Sequence, residues 1–261
     1  MINAAVFYGT LETQSLTLFK KGCSLFTELG ISEYKITLQW MNRLGYTVSK
    51  EVSEEELLTL FGQEEFNYII SFSDKGDEVY FCQTVRSVGP GNTVKLGGWK
   101  ESELSTAFID ALMKTLASES QCQYGFSFQA INALKAQNYV IDSGSMTVAK
   151  YDSARKWQRH FTYCKDDSDY GQRLRLVYCD NYLNAHQLST LHIDGVALAT
   201  WIAESDSRGV LNPIDDNLTH WQVPEAMLEE VNHQCGDAGL SISFVKPIVV
   251  VRSEQFSDLR G

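Results

Sequence analysis

Histidines, cysteines and paired acids are the residues of this chain with the reactivity to do chemistry, and their spacing decides which chemistry is open to them. His186 and His192 lie six positions apart, and His233 with Cys235 makes an HxC. A zinc site draws on close pairs at recognised spacings, which these residues do not supply, so no metal is expected. The cysteines Cys23, Cys82, Cys122, Cys164, Cys179 and Cys235 are scattered without a CxxC pair. In a reducing compartment such residues serve as small core hydrophobes, and no disulfide framework follows from them. GxSxG is absent and Gly144-Ser145 stands in a plain turn, so there is no nucleophile elbow. Without a GxGxxG or a P-loop, no nucleotide cofactor is expected. The run Asp166 to Gly171, DDSDYG, has the look of a calcium loop, but Tyr178 stands where the bidentate glutamate should fall. Adjacent acids such as Asp215-Asp216 could do acid–base work, yet at a strand turn they read as solvated turn formers. The chain is therefore not expected to be an enzyme. One catalytic arrangement stays open, a site that unites a cysteine with His186, His220 or His233 only in the fold.

What the chain has in quantity is negative charge, unevenly placed. The 261 residues carry a net charge of −11 with a pI near 4.9. Between Tyr178 and Leu240 there are ten Asp or Glu against one base, Arg208, and between Glu51 and Glu78 nine acids against Lys75. The rest of the chain is left positive. Acid runs of this kind argue against nucleic acid as a direct ligand, because phosphate contacts need clustered Lys and Arg. They suit a basic protein partner, with Glu204, Asp206, Asp215, Asp216, Glu225, Glu229 and Glu230 as the source of the binding field. Glu54-Glu55-Glu56 have a structural explanation, since acids in a first turn favour the helix dipole. No window reaches the roughly 18 uncharged apolar residues of a membrane span, and the start, MINAAVFYGT, has no basic leader. The reading is a cytoplasmic protein with no membrane partner.

The elements that would position these residues alternate in period. A strand over Ala4 to Tyr8 leads to a helix capped by Thr13, with Leu16, Phe19, Cys23 and Phe26 on its apolar stripe and Gly30 as its stop. Ile36, Leu38 and Trp40 alternate as a strand, and Ser53 with Glu56 forms a capping box ahead of Leu57, Leu60 and Phe61. Hairpins follow over YIISFS, VYFCQTV and Val94 to Leu96, the last two joined across Gly89 to Asn92. A helix is expected over Glu103 to Ala117, a strand through Tyr124, Phe126 and Phe128, a helix over Gln129 to Gln137, and a turn at Asp142-Ser143-Gly144. Arg173 and Arg175 read as one face of a strand, solvated or paired with the acids nearby. Short helices are expected over Asn184 to Leu191 and Val196 to Ala203, then a strand pair over Val210 to Pro213 and His220 to Val223. A helix opens at Pro224 and buries Leu228, Val231 and Cys235, and closing strands run over Ile242 to Val245 and Ile248 to Val251. Trp201 and Trp221 occur at core spacing. The class is α+β, a mixed, largely antiparallel sheet with flanking helices, in one domain of two lobes with a possible boundary near residue 150.

The order of these features resembles a known family. A strand ending Phe7-Tyr8-Gly9, a cysteine-containing helix, a central hairpin pair, and a tail in which VYCDNYLNAHQL is followed by LATWI, RGVL, WQVPE and DAGL is similar to the bacterial polymorphic-toxin immunity proteins of family 52. The resemblance covers most of the chain and is densest between Val177 and Leu240. Thr10, where the family has an Arg after the aromatic-Gly pair, and Ser73-Asp74, where it commonly has Trp-Asn, depart from the pattern. The resemblance implies an antidote that binds a toxin with a restriction-endonuclease-like nuclease domain, of the kind often delivered by type VI secretion. An acidic adaptor or regulatory module using the same surface is the alternative.

Overall fold

A computed structural model describes residues 2–9, 15–28, 30–41, 47–61, 68–74, 80–85, 93–100, 114–115, 117, 122–140, 147–163 and 171–247. Its frame is a ten-stranded sheet in the order β11-β12-β8-β7-β1-β6-β5-β4-β2-β3, with antiparallel pairing at every step from one edge to the other. The strands are β1 (Ile2–Gly9), β2 (Tyr34–Met41), β3 (Thr47–Val52), β4 (Tyr68–Asp74), β5 (Tyr80–Val85), β6 (Thr93–Lys100), β7 (Cys122–Ala130), β8 (Asp180–Asn184), β11 (Val210–Pro213) and β12 (Leu218–Gln222). Two short strands, β9 (His192–Ile193) and β10 (Val196–Ala197), form a separate hairpin across Asp194-Gly195. Both turn residues have positive φ, 51° and 82°, which is the combination a two-residue hairpin loop demands. The large sheet passes position 150 without a break, because β8 pairs directly with β7. The α+β class is as expected.

Alternation in β1 explains how the sheet is buried on both faces. Ala4, Val6 and Tyr8 point into one core, Ala5 and Phe7 into the other, and all are at most 3% exposed. The first core takes Tyr124, Phe126 and Phe128 from β7, and helices α3 (Ala133–Val140), α4 (Ala154–Tyr163), α6 (Leu198–Ala203) and α7 (Leu228–Asp237) cover it with Tyr139, Trp157, Trp201 and Val231. The second core is closed by α1 (Ser15–Glu28) and α2 (Glu54–Leu60) through Leu18, Phe19, Phe26 and Leu57. The Ser53–Glu56 capping box forms, with Glu56 N–H to Ser53 Oγ at 3.1 Å and Ser53 N–H to Glu56 Oε2 at 3.0 Å. A second box, Asn184 with Gln187, starts α5 (Ala185–Thr190). Trp201 and Trp221 are core residues, 4% and 0% exposed.

Several expectations are corrected. Leu16 is exposed, because at about 100° per residue it lies roughly a third of a turn from the centre of the face through Leu18, Gly22 and Phe26. The helix placed at Gln129 starts at Ala133, since β7 holds its pairing as far as Ala130. Val196 and Ala197 are strand, and α6 begins only at Leu198. Pro224 opens a single 3-10 turn, Glu225–Met227, ahead of α7. Residues Ile242 to Val245 are no sheet strand. Isolated bridges from Ser241 to Leu174 and from Phe244 to Asp152 hold that segment instead. Thr13, the turns at 89–92 and 142–144, the DDSDYG acids, most of the helix placed at 103–117 and the strand placed at 248–251 lie outside the described residues.

The largest correction is Arg175, which is fully buried. Its guanidinium stacks over Tyr139 at 3.7 Å and Trp157 at 5.3 Å, and its Nη1 donates to the Tyr139 carbonyl at 3.0 Å. The residue does not alternate on a sheet strand. It lies in a segment clamped by Leu240, Ile242 and Ser243, whose backbone bonds reach Leu174 and Arg175 at 2.8–3.1 Å. Nearby Asp152 is also buried, and that burial pushes its carboxyl up against the pull of Arg175. Removing a buried cation takes away its stacking, its hydrogen bond to Tyr139 and its pull on Asp152 together, so Arg175→Met is expected to lose about 3–5 kcal/mol of stability. The double variant Arg175→Met/Asp152→Asn is expected to recover part of that loss, with urea unfolding as the readout.

Candidate functional site

All seven acids named from the sequence stand exposed, and the hairpin β11–β12 sorts them. Val210 pairs with Gln222 and Pro213 with Thr219. The first pair lies beside Asp206, in the 3-10 turn Asp206–Arg208, and beside Glu225, in the turn that follows β12. Asp215 and Asp216 sit in the connecting turn at the other end, about 13 Å away along a four-residue strand. The structure therefore brings Asp206 and Glu225 to one end of the hairpin and separates Asp215 and Asp216 from them. Glu204 closes α6, next in the chain to Asp206, while Glu229 and Glu230 lie in the first turn of α7.

Four of the seven have local duties. Asp215 Oδ1 accepts the N–H groups of Asn217 and Leu218, both at 2.8 Å, and so builds the turn. Glu229 pairs with Lys150 at 2.6 Å, and that hydrogen bond holds its carboxyl below the ordinary range. Glu230 accepts the Gln234 amide at 2.6 Å, and Glu204 pairs with Arg208 at 3.2 Å. Asp206, Asp216 and Glu225 form no ion pair with any described residue. The segment's one base is engaged inward: Arg208 Nη1 donates to the Trp201 carbonyl at 2.6 Å and its guanidinium lies 4.3 Å over the Trp201 ring. The negative surplus is thus left facing outward.

A further carboxylate, absent from that set, has the most ordered surroundings. Asp180, at the start of β8, accepts Ser127 Oγ from β7 at 2.9 Å on Oδ2, and its Oδ1 lies 2.9 Å from His220 Nε2 on β12. Burial pushes its carboxyl up, but the hydrogen bonds to His220 and Ser127 outweigh that, and it is held below the ordinary aspartate value. Its side chain is 31% exposed while that of His220 is 0% exposed, stacked on Tyr182 at 4.8 Å. The partners come from positions 53 and 40 residues away, so no local motif signals them. Only strand register could, since Ser127 and Gln222 both face Asp180 and Tyr182 faces His220.

This trio contains serine, histidine and aspartate without the wiring of nucleophilic catalysis. The hydroxyl donates to the carboxylate rather than to the imidazole, and the imidazole is sealed from solvent. What the arrangement does is hold an ionised carboxylate in one orientation at the surface. The described thiols give no alternative: burial holds Cys23 up at about 11 and Cys235 at about 12, and raises Cys122 and Cys179 as well. Among the described residues no three His, Cys, Asp or Glu side chains are grouped to hold a metal ion, and no helix is long and apolar enough to cross a membrane.

No family model and no curated protein matches the chain. Its fold is similar to that of the Pseudomonas aeruginosa T6SS protein PA0821, with a TM-score of 0.55 over 93% of this chain and 74% of that one. The likeness is one of fold. At 10% identity it carries no site residue from one protein to the other.

Asp180 gives a pH signature. A carboxyl held below its ordinary value of 3.8 contributes stability that is present above that pH and is lost as pH falls through the lower folded-state value. Asp180→Asn is expected to lower Tm at pH 7, with the gap to the native protein closing as pH drops below about 4. Thermal unfolding of both proteins across that range measures it.

Proposed function

We propose that the chain is an immunity protein of the family 52 kind, which binds a cognate toxin with a basic nuclease domain in the cytoplasm and blocks it by forming a one-to-one complex. The observation that carries this reading is an outward-facing, uncompensated set of carboxylates on a segment whose interior is closely packed. Asp206, Asp216 and Glu225 stand on backbone held by Trp201, Trp221, Val223 and Val231, each at most 4% exposed. Such a surface keeps its charges in place before a partner arrives, and this limits the ordering cost of association. A nuclease must hold a polyanion, so its own cleft is basic, and complementary potentials speed encounter and fix orientation. The likeness in fold to a T6SS protein supports a role connected with secretion, and the family resemblance supports neutralisation within it.

Inhibition by binding asks for no catalytic group in the inhibitor. That agrees with thiols raised by burial and a histidine sealed beneath its carboxylate. A reading frame with a nuclease toxin domain is expected beside this chain's gene, and the test is co-expression with that domain, where growth is expected to be restored. In the purified pair, reversing Asp206, Asp216 and Glu225 to Lys is expected to slow association about tenfold at low ionic strength and far less near 0.5 M salt. Stopped-flow association at the two salt concentrations reads both effects. An on-rate unchanged by salt and by the reversals would count against the acidic mechanism.

A further inference from the structure

The face of the sheet that carries Asp180 changes character along its length. One register row can be followed strand by strand from Val210 on β11 through Gln222, Asp180 and Ser127 to Ala5 on β1, and on across the sheet to Ile36 and Val52. At the β1 to β3 end the row is buried beneath α1 and α2, with Ala5, Ile36 and Val52 at 3%, 6% and 8% exposure. At the other end it opens: Val210 is 56% exposed, Gln222 is exposed, and Asp180 and Ser127 are half-buried. Side-chain bonds tie this open part together, Asn212 Nδ2 to Gln222 Oε1 at 3.2 Å and Ser127 Oγ to Asp180 Oδ2 at 2.9 Å. Asp206 and Glu225 stand at the same end of the hairpin as the Val210–Gln222 pair.

We infer that this open sheet face, the row Val210–Gln222–Asp180, is where the basic partner seats, with the Asp180 carboxylate receiving an arginine or lysine side chain and Val210 supplying the apolar contact. The inference rests on the proposed function and locates it. Charge selects the occupant: the face presents an ionised carboxylate flanked by Asp206 and Glu225, within a segment of ten acids and one base whose base is turned inward. Geometry selects the centre. A carboxylate has about four lone-pair sites; Ser127 and His220 hold one on each oxygen, the Gln222 side chain also bonds to the group, and its outer part stays exposed to a partner. A receptor group already fixed by buried partners loses little freedom on binding, which is the property of an interface hot spot.

The test uses the intact chain with the purified toxin domain encoded beside its gene. Gln222→Lys and Val210→Lys put a positive charge on either side of the row without touching the core, and each is expected to weaken the complex at least tenfold, or about 1.4 kcal/mol. Glu51→Lys, on β3 at the opposite edge of the sheet, is expected to change Kd by less than threefold. Hydroxyl-radical footprinting of the native complex supplies a readout free of substitution, with protection expected at Val210. A complex that forms with full affinity in both row variants and leaves Val210 unprotected overturns the seat while leaving the inhibitor reading intact. Absence of any complex with the native chain overturns both.

Discussion

Strand β1 is the constraint on which the structure depends, because it is buried on both sides at once. Its alternation sends Ala4, Val6 and Tyr8 to one core and Ala5 and Phe7 to the other, so it joins the layers above and below the sheet, as Tyr182 and Leu183 of β8 also do. A sheet covered on both faces must keep its register, since a slip of one residue would exchange the two sets. Glycine at 125 answers the same crowding: a Cβ there would meet Phe7 Cδ1 at 2.6 Å and the Val6 carbonyl at 2.9 Å, so the β1–β7 pair closes only without a side chain. Away from β1, towards β11, Tyr182 and Leu218 still belong to the second core, and this face becomes exposed in the row that ends at Gln222 and Val210.

The chain treats its charges in two opposite ways. Arg175 is drawn into the first core between aromatic faces, with Tyr139 and Tyr178 joined hydroxyl to hydroxyl at 2.8 Å beside it and the Tyr124 hydroxyl accepting the Arg175 N–H at 2.9 Å. That cluster ties the segment at 174–178 to the sheet and to the chain's last described residues. The acids, by contrast, are kept at the surface. Asp180 stands between these extremes, half in contact with the core through His220 and half in solvent. It is the one carboxylate among those described whose direction is set from beneath on both oxygens.

How much of this could be read from residue order follows physical lines. Strands with clean alternation, the Ser53–Glu56 box, the hairpin of Val210–Pro213 with a strand expected at His220 to Val223 and found at Leu218–Gln222, and the burial of both Trp201 and Trp221 were legible, because each depends on near neighbours. Helix Ala154–Tyr163 was not, since its polar residues Arg155, Lys156 and Arg159 mask the apolar signal of the fully buried Trp157. Arg175 was misread for a related reason: alternation with Leu174 and Leu176 suggested a solvated face, and nothing local shows that Tyr139 and Trp157 wait on that side. Among site residues, the exposure of the seven acids was legible from composition. Asp180 was not singled out, because its partners arrive from β7 and β12 and only the completed sheet brings them together.

The account joins an open polar sheet face, a fixed carboxylate, outward acids and a fold shared with a T6SS protein into an inhibitor that acts by occupancy alone. The most direct measurement is a titration of a fixed quantity of the neighbouring toxin domain with the purified chain, reading residual nuclease activity against molar ratio. The account predicts a straight fall to zero ending at one chain per toxin. Complete loss at a small fraction of that ratio, as a catalyst would give, or undiminished nuclease activity at an excess, would contradict it.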